Sequence, residues 1–311
     1  MTRPLAFCGE TITTQQMELI TGCVARYPNL SLQELANTLC EWLDWYRPNG
    51  HLKTRECREL LQRLHQGKVV NLPPLRKGRP KNACTTIPTT AAGDPRKRLE
   101  TSLSEIQPIA IRRVTSPEQH QLWRELVGRH HYLGYRTAYG ASVRYLIEND
   151  ATQQKILGCL QFSSPAWRMK ARDDWIGWND TAHKLKLQRV INNSRFLLLP
   201  WVYIPNLASH VLALALRTVV EDWALLYGNR PWLVETLVDC QRYTGHCYKA
   251  ANWINVGLTT GRGRDNNNHL RRNFSQKSIF LRPLVTNARR RLAKSSQTEP
   301  EILPQSTDSS A

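Results

Sequence analysis

The chain is short of three features that would assign it to a common class. It has 25 Asp and Glu against 43 Lys and Arg, a shortage of acidic residues that leaves a formal charge of +18. Its eight cysteines include no C-x-x-C pair, so neither a zinc ribbon nor a disulfide framework is indicated. No stretch reaches eighteen uninterrupted apolar residues, and the N-terminus lacks the apolar core of a signal peptide. We therefore expect a soluble, cytoplasmic protein without a membrane partner, whose partner is polyanionic and best matched by DNA.

Composition divides the 311 residues into four parts. Residues 1–74 are helical in pattern, and residues 75–104 are rich in Thr, Pro, Ala and basic residues without apolar periodicity, which is typical of a linker. Residues 105–284 mix short apolar runs with one long helix. Residues 285–311 are a basic run and a polar tail, which we expect to be disordered.

The N-terminal part has the pattern of a winged helix-turn-helix. Ser31 followed by Glu34 predicts a capping box, and Thr54 is the expected N-cap of a second helix. The extended stretch KVVNLPP that follows would supply the wing. The second helix carries basic residues suited to phosphates and base edges, among them Arg55 and Arg58. The alternative is a plain helical hairpin with a solvated basic face.

The stretch RKGRPK directly after this part resembles the core of the AT-hook. The resemblance implies that Lys77, Arg79 and Lys81 lie along a narrow A·T minor groove, where negative potential is enhanced. The alternative is a basic linker without a groove-binding role.

Residues 105–284 predict a strand, a helix, an antiparallel hairpin, a strand running into a long helix, and then strand, helix and strand. This order resembles the GNAT acetyltransferase fold. The fold class that we predict is α+β, a GNAT-like mixed sheet with flanking helices, preceded by a small helical winged helix-turn-helix domain. In GNAT enzymes the strand-to-helix junction carries a Gly-rich loop that holds the pyrophosphate of acetyl-CoA. Here the junction reads IPNLASH without glycine, so acetyl-CoA is not expected, although Asn206 is a good helix N-cap.

Polar residues among apolar ones are the candidates for chemistry. Glu235 and Asp239 lie four apart in LVETLVD, where strand alternation puts both on one face. With Asp173 or Asp174 they would form an acidic trio of the kind that holds metal ions in nucleases and transposases, and Mg²⁺ is the expected metal. The alternative is that these carboxylates pair with basic side chains.

A second group of candidates comprises His130, His131 and Tyr248. The histidines end a helix, where a histidine is often only a cap stabilised by the helix dipole. The tyrosine could act as a nucleophile or a general acid, and its alternative is an ordinary buried core position.

Two stretches are expected to contact nucleic acid. GLTTGRGRDNNNHLRRNFSQK combines glycines with Arg262, Arg264, Arg271 and Arg272, a composition that favours a loop tracking phosphates. The stretch VINNSRF presents Asn192, Asn193 and Arg195 where a GNAT enzyme would hold acetyl-CoA, and we expect them to face nucleic acid instead.

A series of short motifs follows the same order as in the DruA proteins of the Druantia anti-phage system. The motifs are HHYLGY, RYLI, LGCLQFSS, ARDDWIGW, NNSRFLLLPWV, PNLASHVL, ETLVD, GHCYKAANW and VGLTTGRGR. Those proteins share their domain with transposon-encoded proteins. The resemblance covers residues 105–284, with Leu237 and His246 as departures from the usual ETFVD and GTCY. It implies a role in mobile DNA or phage defence, and the basic N-terminal part that we expect to bind DNA agrees with it. From the residues we predict a DNA-binding protein that processes DNA strands, with other defence or transposition proteins as partners. The alternatives are a GNAT-like transferase that modifies a nucleobase or amine, and a non-catalytic adaptor that recognises DNA.

Overall fold

The computed structural model describes residues 6–47, 51–73, 87–138, 140–152, 155–259 and 275–294. Within these ranges no helix is long and apolar enough to cross a membrane. Three groups of the sequence predictions lie outside the described residues: Lys77, Arg79 and Lys81 of the AT-hook-like stretch, the arginines Arg262, Arg264, Arg271 and Arg272, and the tail from residue 295 onward.

The N-terminal part is mainly helical, as its pattern predicts. A short hairpin of β1 (Ala6–Phe7) and β2 (Glu10–Thr11) precedes three helices, α1 (Thr14–Arg26), α2 (Leu32–Trp42) and α3 (Thr54–Gln66). The apolar faces of these helices are buried together in one core. Helix formation here follows from apolar residues recurring at helical spacing.

The winged helix-turn-helix is not confirmed. Ser31 caps α2 as predicted, because its hydroxyl accepts a hydrogen bond from the Glu34 amide. The prediction that Thr54 caps α3 is wrong: Thr54 is the first helical residue, and the preceding residue makes no side-chain cap. Residues 68–73 form no strand, so this described stretch supplies no wing. Arg55 and Arg58 are exposed on α3.

Residues 87–104 are packed on the sheet domain instead of forming a free linker. The amide and hydroxyl of Thr90 both donate to the buried carboxylate of Glu125 at 2.7 Å. Further along, β3 (Leu99–Glu100) pairs in parallel with a short strand at Val202–Tyr203. This part of the predicted linker therefore belongs to the folded sheet domain.

A seven-stranded sheet forms the centre of that domain among the described residues. Its strands are β4 (Ile109–Arg113), β5 (Ser142–Asn149), β6 (Ile156–Ser163), β7 (Val190–Leu198), β9 (Leu233–Asp239), β10 (Ile254–Leu258) and β11 (Lys277–Pro283), with β8 (Val202–Tyr203) outside it. The spatial order is β10-β11-β9-β7-β6-β5-β4. Neighbours are antiparallel except β7 and β9, which run parallel. The pairing of β7 with β9 covers only residues 190–192 and 233–235, so beyond this point the two strands are not hydrogen-bonded to each other.

Helices cover both faces of the sheet. They are α4 (Pro117–His130), α5 (Lys170–Ile176), α6 (Asp180–Lys186), α7 (Leu207–Tyr227), α8 (His246–Ala250) and α9 (Ala288–Ala293). The predicted order of strands and helices is thus found, which confirms an α+β, GNAT-like mixed sheet with flanking helices. Helix α9 corrects the prediction of disorder after residue 284, since Ala288 and Leu292, one turn apart, are buried.

The entry into the long helix α7 differs from the sequence prediction. Asn206 has the left-handed conformation, with φ of 63°, and its side chain makes no cap hydrogen bond. Asparagine tolerates this conformation better than other non-glycine residues, which explains its presence at a sharp change of direction. Ile204 and Leu207 are buried on either side of it. Apolar packing therefore anchors both sides of this turn, while Asn206, Ser209 and His210 line a separate surface pocket.

Candidate functional site

A cavity of about 400 Å³ lies where β7 and β9 are no longer paired. Its wall consists of residues 193–198 of β7, residues 236–239 of β9, residues 130–133 after α4, and residues 243–248 around α8. Six of the residues selected from the sequence line it: His130, His131, Asn193, Arg195, Asp239 and Tyr248. The fold therefore brings together candidates that are far apart in the chain.

A β-bulge in β7 determines which side chains reach the cavity. Gln161 pairs with Arg195 and Phe162 pairs with Asn193, which leaves Ser194 as the extra residue of β7. The amide nitrogen Nδ2 of Asn193 donates to the carbonyls of Gln161 and Arg195, at 3.3 and 3.2 Å, and so closes the bulge. Bulges often redirect side chains next to functional sites, and here Asn193 and Arg195 both line the cavity.

Asn193 and Tyr248 support the wall of the cavity. The Tyr248 hydroxyl donates to Oδ1 of Asn193 at 2.9 Å, and the Thr236 hydroxyl donates to the Asn193 carbonyl at 3.0 Å. Burial raises the pKa of Tyr248, so its phenol stays neutral at pH 7. Because its proton is already donated to Asn193, this arrangement gives no support to Tyr248 as a nucleophile; it positions the bulge that carries Arg195.

Arg195 is a cation of the cavity wall. Its guanidinium is half-buried and donates from Nη1 to the Ser194 carbonyl at 2.6 Å. Burial lowers the pKa of Arg195, with the positive charge of Arg136 acting in the same direction. No carboxylate of the described ranges forms an ion pair with it. A guanidinium in this situation is suited to an anionic group of a ligand.

Aromatic rings stand beside Arg195 in the cavity wall. The ring centroids of His131 and Tyr132 are 4.9 Å apart in a stacked arrangement, and Tyr132 meets Tyr243 at 5.4 Å. Tyr243 is 52% exposed, so one large ring is accessible to a ligand. The guanidinium of Arg242 lies 5.3 Å from the Tyr132 centroid. Sequence reasoning missed Arg242 and Tyr243. The signal that could have found them is an arginine next to a tyrosine, shortly after Asp239.

The two histidines of the cavity differ in environment. Burial, followed by the charge of Arg195, lowers the pKa of His131 to about 4, so this imidazole is neutral at pH 7. Its Nδ1 accepts the Leu133 amide at 3.1 Å, which leaves the proton on Nε2. His130 is held in the wall, since its Nε2 lies 3.0 Å from the Gly93 carbonyl and its ring packs on Trp201.

Asp239 provides the carboxylate of the cavity. Its Oδ1 accepts the amide of Gln241 at 3.0 Å. Tyr132 is close enough to be affected by it: burial raises the pKa of Tyr132, and the charge of Asp239 raises it further. The cavity thus combines one carboxylate, one guanidinium and several rings.

The predicted acidic trio is not formed. Glu235 and Asp173 both contact the fully buried Arg172, whose Nη1 lies 3.0 Å from Glu235 Oε2 and whose Nη2 lies 2.8 Å from Asp173 Oδ1. Asp239 lies four residues further along β9, about 13 Å away at the rise of a strand. In the described part of the chain, no three His, Cys, Asp or Glu side chains are grouped to hold a metal ion. The alternative, pairing with a basic side chain, holds for Glu235 and Asp173.

Asn192 lies outside the cavity wall. It is paired in register with Glu235 where β7 and β9 still run together, and its Oδ1 is buried without a hydrogen-bond partner in the described structure. Asn192 is therefore not brought together with Asn193 in the cavity wall, and its contact with nucleic acid stays a prediction.

His183 makes the stability of the protein dependent on pH. It is fully buried, its Nε2 lies 2.8 Å from the Trp167 carbonyl, and its ring contacts Trp167 and Trp178. Burial lowers its pKa to about 4. Because this value lies below the unfolded pKa of about 6.5, the stabilising contribution is complete above pH 6.5 and is lost as the pH falls toward 4.

We therefore expect His183 to lower the free energy of unfolding by about 2 kcal/mol between pH 7 and pH 5. Urea denaturation of the wild type and of His183→Gln at both pH values measures this loss. The variant should lose less free energy than the wild type over this interval. An identical loss in both proteins would show that His183 is not the group responsible.

Comparison with known proteins identifies the family. A family model described as Druantia protein DruA matches residues 76–272, which is more than half of the chain. A search among curated proteins finds no match. The matched range begins at residue 76 and so includes the packed segment 87–104.

Several solved structures share part of the fold. A spermidine N-acetyltransferase from Vibrio cholerae in complex with CoA and spermine aligns with a TM-score of 0.38 at 9% identity, over 57% of this chain and 95% of that one. The spermidine/spermine N-acetyltransferase SpeG of the same organism, in complex with manganese ions, gives 0.37 at 8% identity, over 57% and 92%. A dodecameric spermidine N-acetyltransferase of that organism aligns with a TM-score of 0.31 at 10% identity. The alignment covers 46% of this chain and 66%, just under two thirds, of the acetyltransferase chain. These scores carry no conclusion about activity, and the fold class rests on the strand order itself. The match of the family model to more than half of the chain shows that it belongs to the Druantia DruA family.

Proposed function

We propose that this chain is a DNA-binding protein of a defence system and that its cavity receives an unpaired nucleotide of a DNA strand. The observation that carries the proposal is the placement of the Arg195 guanidinium beside the rings of Tyr132 and Tyr243 in one cavity. A nucleotide offers a flat ring and a phosphate, the two groups that such a wall accommodates.

Stacking and phosphate contacts both favour binding of a strand at this wall, without selecting its base sequence. Stacking of a base on an aromatic side chain contributes about 1–3 kcal/mol and tolerates any base, because every base has a π-face. A guanidinium binds phosphate through two parallel N–H bonds. The volume of about 400 Å³ is within the usual range for small-ligand pockets. The overall charge of +18 supplies long-range attraction for a polyanion.

The described residues that flank a strongly basic part of the sequence lie at this end of β9. Strand β10 ends at Leu258 and β11 begins at Lys277, and the intervening sequence contains four arginines and one aspartate. Lys277 is paired in register with Asp239, which lines the cavity. The described residues next to the Arg-rich sequence therefore lie at the same end of β9 as the cavity.

Binding is the step that this geometry supports, and metal-dependent cleavage is not part of the proposal. The carboxylates predicted to hold Mg²⁺ are separated, and two of them neutralise Arg172. The remaining carboxylate, Asp239, accompanies a neutral imidazole and a guanidinium. These groups can donate to and accept hydrogen bonds from a base or a phosphate.

Substitution of the cavity residues should weaken binding of single-stranded DNA. We expect Arg195→Gln and Tyr243→Ala each to lower the affinity for a labelled single-stranded oligonucleotide by about tenfold, measured by fluorescence anisotropy. Tyr203→Ala is the matched control. Tyr203 is 47% exposed, which is close to the 52% of Tyr243, but it lies on β8 and does not line the cavity. Its affinity should equal that of the wild type.

The same assay separates the alternatives when it is run with single- and double-stranded DNA, with and without Mg²⁺. If Arg195→Gln and Tyr243→Ala bind the oligonucleotide as tightly as Tyr203→Ala and the wild type do, the cavity has no role in DNA binding. Absence of any DNA binding, together with acetyl-CoA binding by calorimetry that is lost in Arg195→Gln, would favour the transferase. Mg²⁺-dependent strand cleavage would show that a catalytic step exists beyond the binding proposed here.

A further inference from the structure

Helix α9 turns a basic stretch of the sequence into a structured surface. It packs against α5 and α6, with Ala288 and Leu292 buried on its inner side. Arg289 and Arg290 remain exposed on its outer side. The charges of this stretch therefore occupy a fixed position on the sheet domain.

Two tryptophans hold the neighbouring cations in place. The centroid of Trp232 lies 5.8 Å from Lys186 Nζ, 4.8 Å from the Arg189 guanidinium and 5.7 Å from the Arg291 guanidinium. The guanidinium of Arg289 lies 5.7 Å from the centroid of Trp175. Both indoles pack on the apolar cluster that contains Leu292 of α9. We call the accessible cations around this helix the cationic face, and it consists of Lys186, Arg289, Arg290 and Arg291. Arg189 is not part of it, because its side chain is buried and donates to the Arg230 carbonyl.

The chemistry of the cationic face fits phosphate better than a lipid surface. An indole below a guanidinium limits its motion and leaves its planar edge suited to bidentate contact with a phosphate. Asp174, next to Trp175 in sequence, is already paired with Lys170 at 2.8 Å. None of the large apolar side chains that are exposed in the described ranges belongs to this face, so it offers no group that would insert into a membrane.

The position of the cationic face relative to the cavity suggests the form of the DNA. Trp232 directly precedes β9, and Asp239 at the other end of β9 lines the cavity. From Leu233 to Asp239 the strand spans about 20 Å at about 3.3 Å per residue. This length equals about six base-pair steps of B-form DNA, at about 3.4 Å each.

We infer that the cationic face binds the phosphate backbone of duplex DNA while the cavity holds the adjoining unpaired strand. The preferred ligand is then a duplex with a single-stranded extension. This inference rests on the proposed function and deepens it by naming the substrate class. It assigns a binding role to α9, which the sequence suggested to be a disordered tail.

The test compares three labelled DNAs, a single strand, a blunt duplex and a duplex with a single-stranded extension, across a series of salt concentrations. The double variant Arg289→Gln with Arg290→Gln should bind the extended duplex at least about tenfold more weakly at 0.1 M salt. The slope of log K against log salt should fall by about 1.8, because each lost phosphate contact contributes about 0.9. The affinity for the single strand should be unchanged. Lys155→Gln combined with Arg217→Gln removes the same charge from exposed positions outside the face and should change the slope less.

The outcomes distinguish this inference from the proposed function. If the cationic-face variant binds the extended duplex like the wild type while Arg195→Gln loses the single strand, the proposed function stands and the inference is wrong. If the wild type binds none of the three DNAs, both are wrong. Equal slope changes in the two double variants would show a general charge effect and overturn the inference. Binding to vesicles containing phosphatidylserine that depends on Arg289 and Arg290, with duplex binding unaffected, would also overturn it.

Discussion

Replacing Glu235 with alanine is expected to lower the free energy of unfolding by about 3 kcal/mol or more, because the buried charge of Arg172 loses its fully buried partner. Both side chains are inaccessible to solvent, and their atoms are 3.0 Å apart. Burial raises the pKa of Glu235 and Arg172 opposes that rise, so each group makes the burial of the other tolerable. Asp173 still contacts Arg172 in the variant, which places the expected loss at the lower end of the range of about 3–5 kcal/mol for such pairs.

Chemical denaturation of matched variants tests this value. Glu221→Ala removes the partner of Arg230 on the surface, where the two side chains are 66% and 43% exposed, and should lower the free energy of unfolding by less than about 1 kcal/mol. The double variant Arg172→Met with Glu235→Leu removes both fully buried charges but leaves Asp173 and the Ala166 and Trp167 carbonyls without their donor, so it should recover only part of the stability. A loss in Glu235→Ala no larger than in Glu221→Ala would refute a structural role for the pair.

Replacing Gly245 with alanine is expected to lower the free energy of unfolding by about 2–5 kcal/mol, from two effects that add. Its φ is +69°, a left-handed conformation that disfavours side chains, and a Cβ would lie 2.5 Å from the Phe280 ring. That ring is fully buried and stacks on Tyr248 at 5.7 Å, so it has no space to move. Gly245 also lines the cavity, and the substitution should weaken DNA binding as well.

Two other glycines separate the backbone effect from the steric one. Gly177 and Gly228 have φ of +73° and +65°, but a Cβ added at either would meet nothing within 4 Å. Their alanine variants should lose only about 1–2 kcal/mol, the backbone contribution alone. Thermal or urea denaturation of the three variants gives the comparison. Equal losses at all three positions would mean that Phe280 yields and that the steric contribution is absent.

The order of the elements was predictable because local patterns determine it. Apolar runs marked β5, β6 and β9, and the long apolar stretch after Asn206 marked α7. Elements held by distant contacts were missed. Residues 87–104 are fixed by Thr90 on Glu125, and α9 is fixed by the burial of Leu292. Neither contact can be read from the composition of its own segment, which in both cases indicates mobility.

The site was predictable as a set of residues but not as an arrangement. Polar residues among apolar ones selected Arg195 and Asp239, and both line the cavity. The role of Glu235 depended on Arg172, which is 63 positions away in sequence, and a single sequence does not indicate which of many arginines is the partner. The bulge at Ser194 likewise follows from pairing with β6. Such long-range pairings decide whether a carboxylate is a ligand or a counter-ion.

The attachment of the N-terminal helices to α6 fixes distances across the whole molecule. Lys184 of α6 donates to Asp44 at 2.7 Å and to the Trp42 carbonyl at 3.0 Å, and Gln188 donates to Thr38 at 3.2 Å. Helix α6 also carries Lys186 of the cationic face. The exposed arginines of α3 are thus set at a constant spacing from the other basic groups of the protein. A long ligand that contacts both places must match that spacing.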